Sequence, residues 1–272
     1  MTASPIGQGL VVTAAALVTV AVLMTATALW SRRVGRVSVV DITWGVSFVV
    51  VAVVSALVGF ALGVGDDARR WLVPVLTGVW GLRLAWHIRG RAGAGEEDPR
   101  YAELLGDGGL GAAVRKVFLV QGFAVWLISL PVQAAGVTSV RSWWWVGLGV
   151  LVFAVGLFFE VVGDRQLAAY RARPRESRPP VMDQGLWAWT RHPNYFGDAC
   201  VWWGLWLAGG LASGWLPGLL TLVAPVAMTY FIRNVTGARL LEKTMSQRPG
   251  WDDYAARTPL FFPRPPRRAR DA

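Results

Sequence analysis

Val37-Ser38-Val39-Val40-Asp41-Ile42-Thr43-Trp44-Gly45-Val46-Ser47-Phe48-Val49-Val50-Val51-Ala52 opens an apolar stretch that runs on to Val64, with Asp41 its only charge. It is long enough to cross a bilayer, which takes about 20 predominantly apolar residues. Six more segments read the same way: Ile6 to Trp30, Trp71 to Ile88, Val117 to Val137, Trp143 to Gly163, Tyr195 to Ala212 and Trp215 to Ile232. The third of the seven holds Arg83 and His87, and the sixth holds Asp198. The first lacks a basic leader and is long enough to span, so it reads as a retained helix rather than a signal peptide. The pattern predicts an all-α, polytopic membrane helix bundle of about seven spans. The domain reading is a first helix with its basic loop over 1–36, and one membrane domain over 37–272.

Composition agrees. Of 272 residues, 54% are hydrophobic and 16% charged, against about 25% charged in soluble domains. That excludes a disordered chain, a collagen-like chain and a disulfide scaffold. The single Cys200 forms no internal disulfide. The net charge of +10 suggests nucleic acid until the charges are placed. With the N-terminus outside, the inner loops hold Arg32, Arg33, Arg36, Arg89, Arg91, Arg100, Arg115, Lys116, the arginines from Arg165 to Arg191 and the basic tail. The outer loops hold Arg69, Arg70 and Arg141. This is the positive-inside asymmetry of a membrane protein with a cytosolic C-terminus, and no nucleic-acid partner is needed to explain it.

Polar residues gather at the predicted inner face. Asp41 lies near the inner end of the second segment, Arg83 and His87 near that of the third. Glu160 and Asp164 close the fifth, and His192, Asn194 and Asp198 open the sixth. Arg233, Asn234, Arg239 and Glu242 follow the seventh. Charged groups inside a span are costly, so their convergence points to a polar cavity open to the cytosol. Interfacial ion pairs anchoring helix ends are the alternative. In Thr190-Arg191-His192-Pro193-Asn194-Tyr195-Phe196-Gly197-Asp198, Pro193 suits the first turn of a helix. The helix start beside Arg191 and His192 is a natural phosphate site. Asn194 and Asp198 share a face, suited to an amide, to ribose hydroxyls or to a capping network. Glu160 and Asp164 oppose the dipole at a helix C-terminus and need an offset, from arginines or from a ligand. Asp41 is read as pairing with Arg83 or as a substrate-side acid. Two histidines and a distant cysteine give no metal-site spacing.

The segment Arg191 to Asp198 resembles the cofactor motif of the steroid 5α-reductase superfamily. Asp41-Ile42-Thr43-Trp44-Gly45, Arg83-Leu84, Glu97-Asp98-Pro99-Arg100-Tyr101, and the end from Leu241-Glu242-Lys243 through Tyr254 to Phe262-Pro263 resemble a bacterial branch of it. The resemblance implies a seven-helix membrane fold holding NADPH in a cavity at the cytosolic face. It implies reduction of a carbon–carbon double bond, typically conjugated to a carbonyl, in a sterol, isoprenoid or fatty acyl substrate. It assigns Asp164, Arg191, His192, Asn194, Tyr195 and Asp198 to the cofactor, with Arg239 and Glu242 closing the site. Asp41 stands where the steroid enzymes place a glutamate. The third segment has no tyrosine and offers Arg83, Trp86 and His87 near the substrate carbonyl. Asp41, Arg83 and His87 are therefore the candidate catalytic groups. The related isoprenylcysteine carboxyl methyltransferases share an Arg-His-Pro-x-Tyr-type motif and bind S-adenosylmethionine. They usually end with paired glutamates, where this chain has Glu242-Lys243. A non-catalytic membrane protein is the remaining alternative.

Overall fold

Local chemistry sets the first helix. In α1 (Pro5–Val34), the Ser4 side chain accepts from the Gly7 amide at 3.2 Å and Pro5 occupies the first turn, where its missing N–H costs nothing. Gly35 ends the helix in the left-handed region, at φ 69°. One stripe of α1 is buried, through Val12, Ala16, Val20, Met24, Thr27 and Ser31. The opposite side exposes Leu10, Leu17, Val18, Val22 and Leu29. An apolar face left outside an apolar core is what lipid, not water, solvates.

The computed structural model describes residues 4–91 and 97–266. Their regular structure is all helical, with no strand among the described residues. The elements after α1 are α2 (Val39–Ala61), α3 (Asp67–Arg91), α4 (Pro99–Leu105), α5 (Gly109–Ala113), α6 (Leu119–Ile128), α7 (Leu130–Val137) and α8 (Trp143–Ala172). They continue with α9 (Pro193–Gly209), α10 (Trp215–Thr221), α11 (Val223–Tyr230), α12 (Ala238–Met245) and α13 (Trp251–Arg257). Five stretches among the described residues are long and apolar enough to cross a membrane: Pro5–Val34, Val39–Ala61, Gly109–Ile128, Trp143–Ala172 and Trp215–Met245. The protein is thus a helical membrane bundle. The third and sixth predicted segments fall outside that set. α3 carries Arg69, Arg70, Arg83, Arg89 and Arg91, and α9 has only 17 residues.

The chain forms two compact units, Met1–Gly149 with Leu205–Ala224, and Val150–Gly204 with Pro225–Ala272. In the first unit α2 packs against α1, α3 and α7. Glycines let the backbones meet: a Cβ on Gly45 would lie 2.3 Å from the Gly81 carbonyl oxygen. The predicted fourth segment is not one helix. It breaks at Ser129, where Leu130-Pro131 starts α7, because Pro131 has no N–H to continue the ladder. Gln133 mends the break. Its amide donates to the Trp126 carbonyl at 3.0 Å and to the Ser129 hydroxyl at 2.8 Å, and its oxygen accepts from Thr13 at 2.7 Å.

Two of the three arginines assigned to the outer side are buried and tied down. Arg69 donates to the hydroxyls of Ser213 and Thr138, each at 2.8 Å, and to the Thr138 carbonyl that ends α7. Arg70 holds Asp67 and the Val64 carbonyl. Cations on carbonyls at helix ends are favourable, so these two charges act as structural caps.

Candidate functional site

In the second unit, Glu160 and Asp164 lie one turn apart on α8, and both are buried. The expected clash with a helix C-terminus does not arise. α8 continues to Ala172, more than two turns beyond Asp164, so neither carboxylate meets the dipole's negative end. What α8 offers is a glycine seam toward α9. A Cβ on Gly156 would lie 2.5 Å from the Gly197 oxygen, and one on Gly163 would lie 3.1 Å from the Pro193 ring. The seam sets Glu160 and Asp164 against the opening turns of α9. Asn194 donates its amide to Asp164 at 3.2 Å.

The loop before α9 is laced to the tail. The Thr190 hydroxyl donates to the Phe261 carbonyl at 2.9 Å, the Arg191 amide to Pro259 at 2.9 Å, and the Arg264 amide to Trp189 at 2.9 Å. The Tyr254 hydroxyl donates to the Trp187 carbonyl at 2.7 Å. Burial of Tyr254 pushes its phenol well above the usual range, so the group stays a donor.

Arg191 is the hub. Nε and Nη2 grip the two Glu242 oxygens at 2.7 and 3.1 Å, and Nη1 caps the carbonyls of Ala255 and Thr258 at 3.0 and 2.7 Å. His192 Nε2 shares Glu242 Oε1 at 3.1 Å. The His192 ring stacks on Tyr195, with centroids 5.6 Å apart and planes 18° apart. Asp198 lies half-buried one turn after Asn194. Arg239 is exposed on the same short helix as Glu242 and takes no part in this network.

In the first unit Asp41 sits on the opening turn of α2. Two of its partners come from α4. The Tyr101 hydroxyl donates to Oδ1 at 2.5 Å and Arg100 Nη2 to Oδ2 at 3.1 Å. Arg100 also holds Asp98, which caps α4 through the Arg100 amide at 2.9 Å. Glu97 accepts from the Val37 and Ser38 amides at the head of α2. Partial burial raises the Glu97 carboxyl, but those amides and that of Asp98 outweigh it and hold it below the usual carboxylate range. Hydrogen bonds from Arg100 likewise hold Asp98 low. Burial, then the Asp41 charge, push the Tyr101 phenol far above its ordinary value. Arg83 and His87 lie one turn apart on α3, both half-buried. Tyr101 was given no role from sequence. The signal available was Asp98-Pro99, an N-cap and first-turn proline announcing a short helix.

A helical membrane protein with polar clusters at the ends of its apolar helices is the class these observations define. The chain belongs to the DUF1295 family, described as a protein of unknown function, whose model matches residues 27–258. A nickel-cobalt-cadmium resistance protein, NccN, of Alcaligenes xylosoxydans xylosoxydans is 26% identical over 145 residues. The match covers 52% of this chain and 63% of that protein's length. No solved structure matches.

Proposed function

We propose that this chain is a membrane-embedded, NADPH-dependent reductase of a carbon–carbon double bond in a sterol, isoprenoid or fatty acyl substrate. The observation that carries the reading is the buried Asp164 paired with Asn194 where the glycine seam brings α8 to the start of α9. A carboxylate and an amide side by side offer acceptors and donors together, which suits a nicotinamide amide and ribose hydroxyls. Tyr195 and the His192 ring add a flat aromatic surface beside them. The likeness of Arg191 to Asp198 to the steroid 5α-reductase cofactor motif points the same way.

Asp164, Asn194, Tyr195 and Asp198 would hold the nicotinamide and ribose. NADPH, when bound, supplies the hydride, while the chain orients it and excludes water. The phosphate end fits less simply. Arg191 already makes four hydrogen bonds with the five donors of its guanidinium. The loop arginines support a cytosolic side for this site and an N-terminus outside. For the substrate, Asp41, Arg83 and His87 stand as the candidate polar groups of the first unit. NccN carries the name of a metal-resistance protein. Among the described residues no three His, Cys, Asp or Glu side chains are grouped to hold a metal ion, and we assign no metal site.

The test is a titration of the detergent-purified chain with NADPH, NADH and S-adenosylmethionine, following thermal stability. A ligand that binds only the folded state raises it by mass action, about 2.7 kcal/mol at a hundredfold excess over Kd. A rise with NADPH is expected. A rise with S-adenosylmethionine alone overturns the reductase in favour of a methyltransferase.

A further inference from the structure

We propose that Glu242 is a built-in plug. Its carboxylate occupies the anion site formed by Arg191 and His192, and α12 must move outward before a ligand's phosphate can bind there. The inference rests on the cofactor reading above and adds the regulation of that site.

The contact has the form of ligand recognition. Both Glu242 oxygens lie on the Arg191 fork at 2.7 and 3.1 Å, and one also meets His192 at 3.1 Å. A guanidinium presents the same two-pronged geometry to carboxylate and phosphate alike. The two side chains of this site are fixed without help from Glu242. The Arg191 amide bonds to Pro259, and its Nη1 is spent on Ala255 and Thr258. His192 donates its amide to Thr190 and stacks on Tyr195.

The acid, by contrast, rides on a small element with a turn at each end. α12 has eight residues. Its inner face is Ala238, Glu242 and Met245, and its outer face exposes Arg239, Leu240, Leu241 and Lys243. The preceding π-helical turn Phe231–Val235 is followed by Gly237, where a side chain has no room: a Cβ would lie 1.9 Å from the Ile232 oxygen. Past its other end, Gly250, which precedes α13, takes φ 76° in open space. Rotation at such end positions is how short elements open and close over sites.

The experiment uses the full chain in detergent, with inorganic pyrophosphate and NADPH as probes, read by thermal shift and tryptophan fluorescence. With the plug removed, Glu242→Ala is expected to bind pyrophosphate roughly tenfold more tightly, the scale of one charge-assisted hydrogen-bonded contact. Glu242→Gln keeps the side chain's shape and drops its charge, and a smaller gain is expected. Unchanged or weaker pyrophosphate binding in both variants overturns the plug. If NADPH binds the parent chain but neither variant gains, the plug fails and the reductase reading stands. If pyrophosphate gains while NADPH binds no form, the plug stands and the dinucleotide reading fails.

Discussion

Each of the two units ties a carboxylate of one segment to an arginine of another, and the two ties differ in burial. In the first, Arg100 reaches Asp41 with side chains 54% and 24% exposed. In the second, Arg191 grips Glu242 with side chains 12% and 20% exposed, and His192 beside them is 2% exposed. Water screens the first pair, and an exposed ion pair is worth about 0–1 kcal/mol. The second pair has given up most of its hydration, and removing one partner of a buried pair costs about 3–5 kcal/mol. The same chemistry therefore contributes little in one place and much more in the other.

The largest expected effect follows. Arg191→Ala takes the Arg191 donor from the carbonyls of Ala255 and Thr258 and strips the guanidinium from the Glu242 carboxylate, which keeps its contact with His192. We expect a fall in thermal stability of about 3–5 kcal/mol, with early proteolysis of the tail after residue 245. Arg100→Ala should cost less than about 1 kcal/mol. Equal losses in the two variants would erase the distinction. Thermal unfolding in one detergent, with limited proteolysis, decides it.

Tyr101→Phe sharpens the comparison inside the first unit. The phenol is buried and its hydrogen bond to Asp41 is 2.5 Å long, whereas Arg100 is half in water. A hydrogen bond to a charged group contributes about 1.5–3 kcal/mol. The phenylalanine variant should therefore destabilise more than Arg100→Ala, although it removes no charge. The two unfolding midpoints, measured side by side, check the order.

These ties were the least legible part of the sequence. Apolar runs marked the spans, because lipid crossing demands length and hydrophobicity and both are local. They did not mark where helices break. The predicted segments from Val117 to Val137 and from Trp215 to Ile232 each divide, at Ser129 and at Leu222, since hydropathy is blind to the lost N–H of Pro131 and Pro225. Nor did they mark where helices continue. α8 outlasts its apolar run because Gln166, Leu167, Ala168 and Ala169 favour helix whatever their polarity. The pairing of Arg191 with Glu242, 51 positions apart, and of Tyr101 with Asp41, 60 apart, depends on tertiary packing that no local pattern encodes. What was legible at the site was the helix start at Pro193 and the i, i+4 spacing of Glu160 and Asp164.

The smallest effect concerns pH, and it again separates the two regions. Glu97 is held below the ordinary carboxylate range by the amides of Val37, Ser38 and Asp98. A carboxyl whose folded value is depressed binds its proton less readily folded than unfolded. Its contribution is therefore complete above the unfolded value, about 4.3 for glutamate, and is lost as pH falls through the lower folded value. The first unit should loosen at the junction of α2 with the Glu97 segment as pH drops below about 4. Glu97→Gln should remove that dependence while lowering stability modestly at neutral pH. Hydrogen exchange at the Val37 and Ser38 amides reads the junction directly, since both donate to this one side chain. Corrected for intrinsic chemistry, those amides should be less protected in the parent chain at low pH than at neutral pH. In Glu97→Gln the rates, corrected for intrinsic chemistry, should not change with pH. An unchanged pH dependence in the variant would mean that another acid, such as the similarly depressed Asp98, controls the junction.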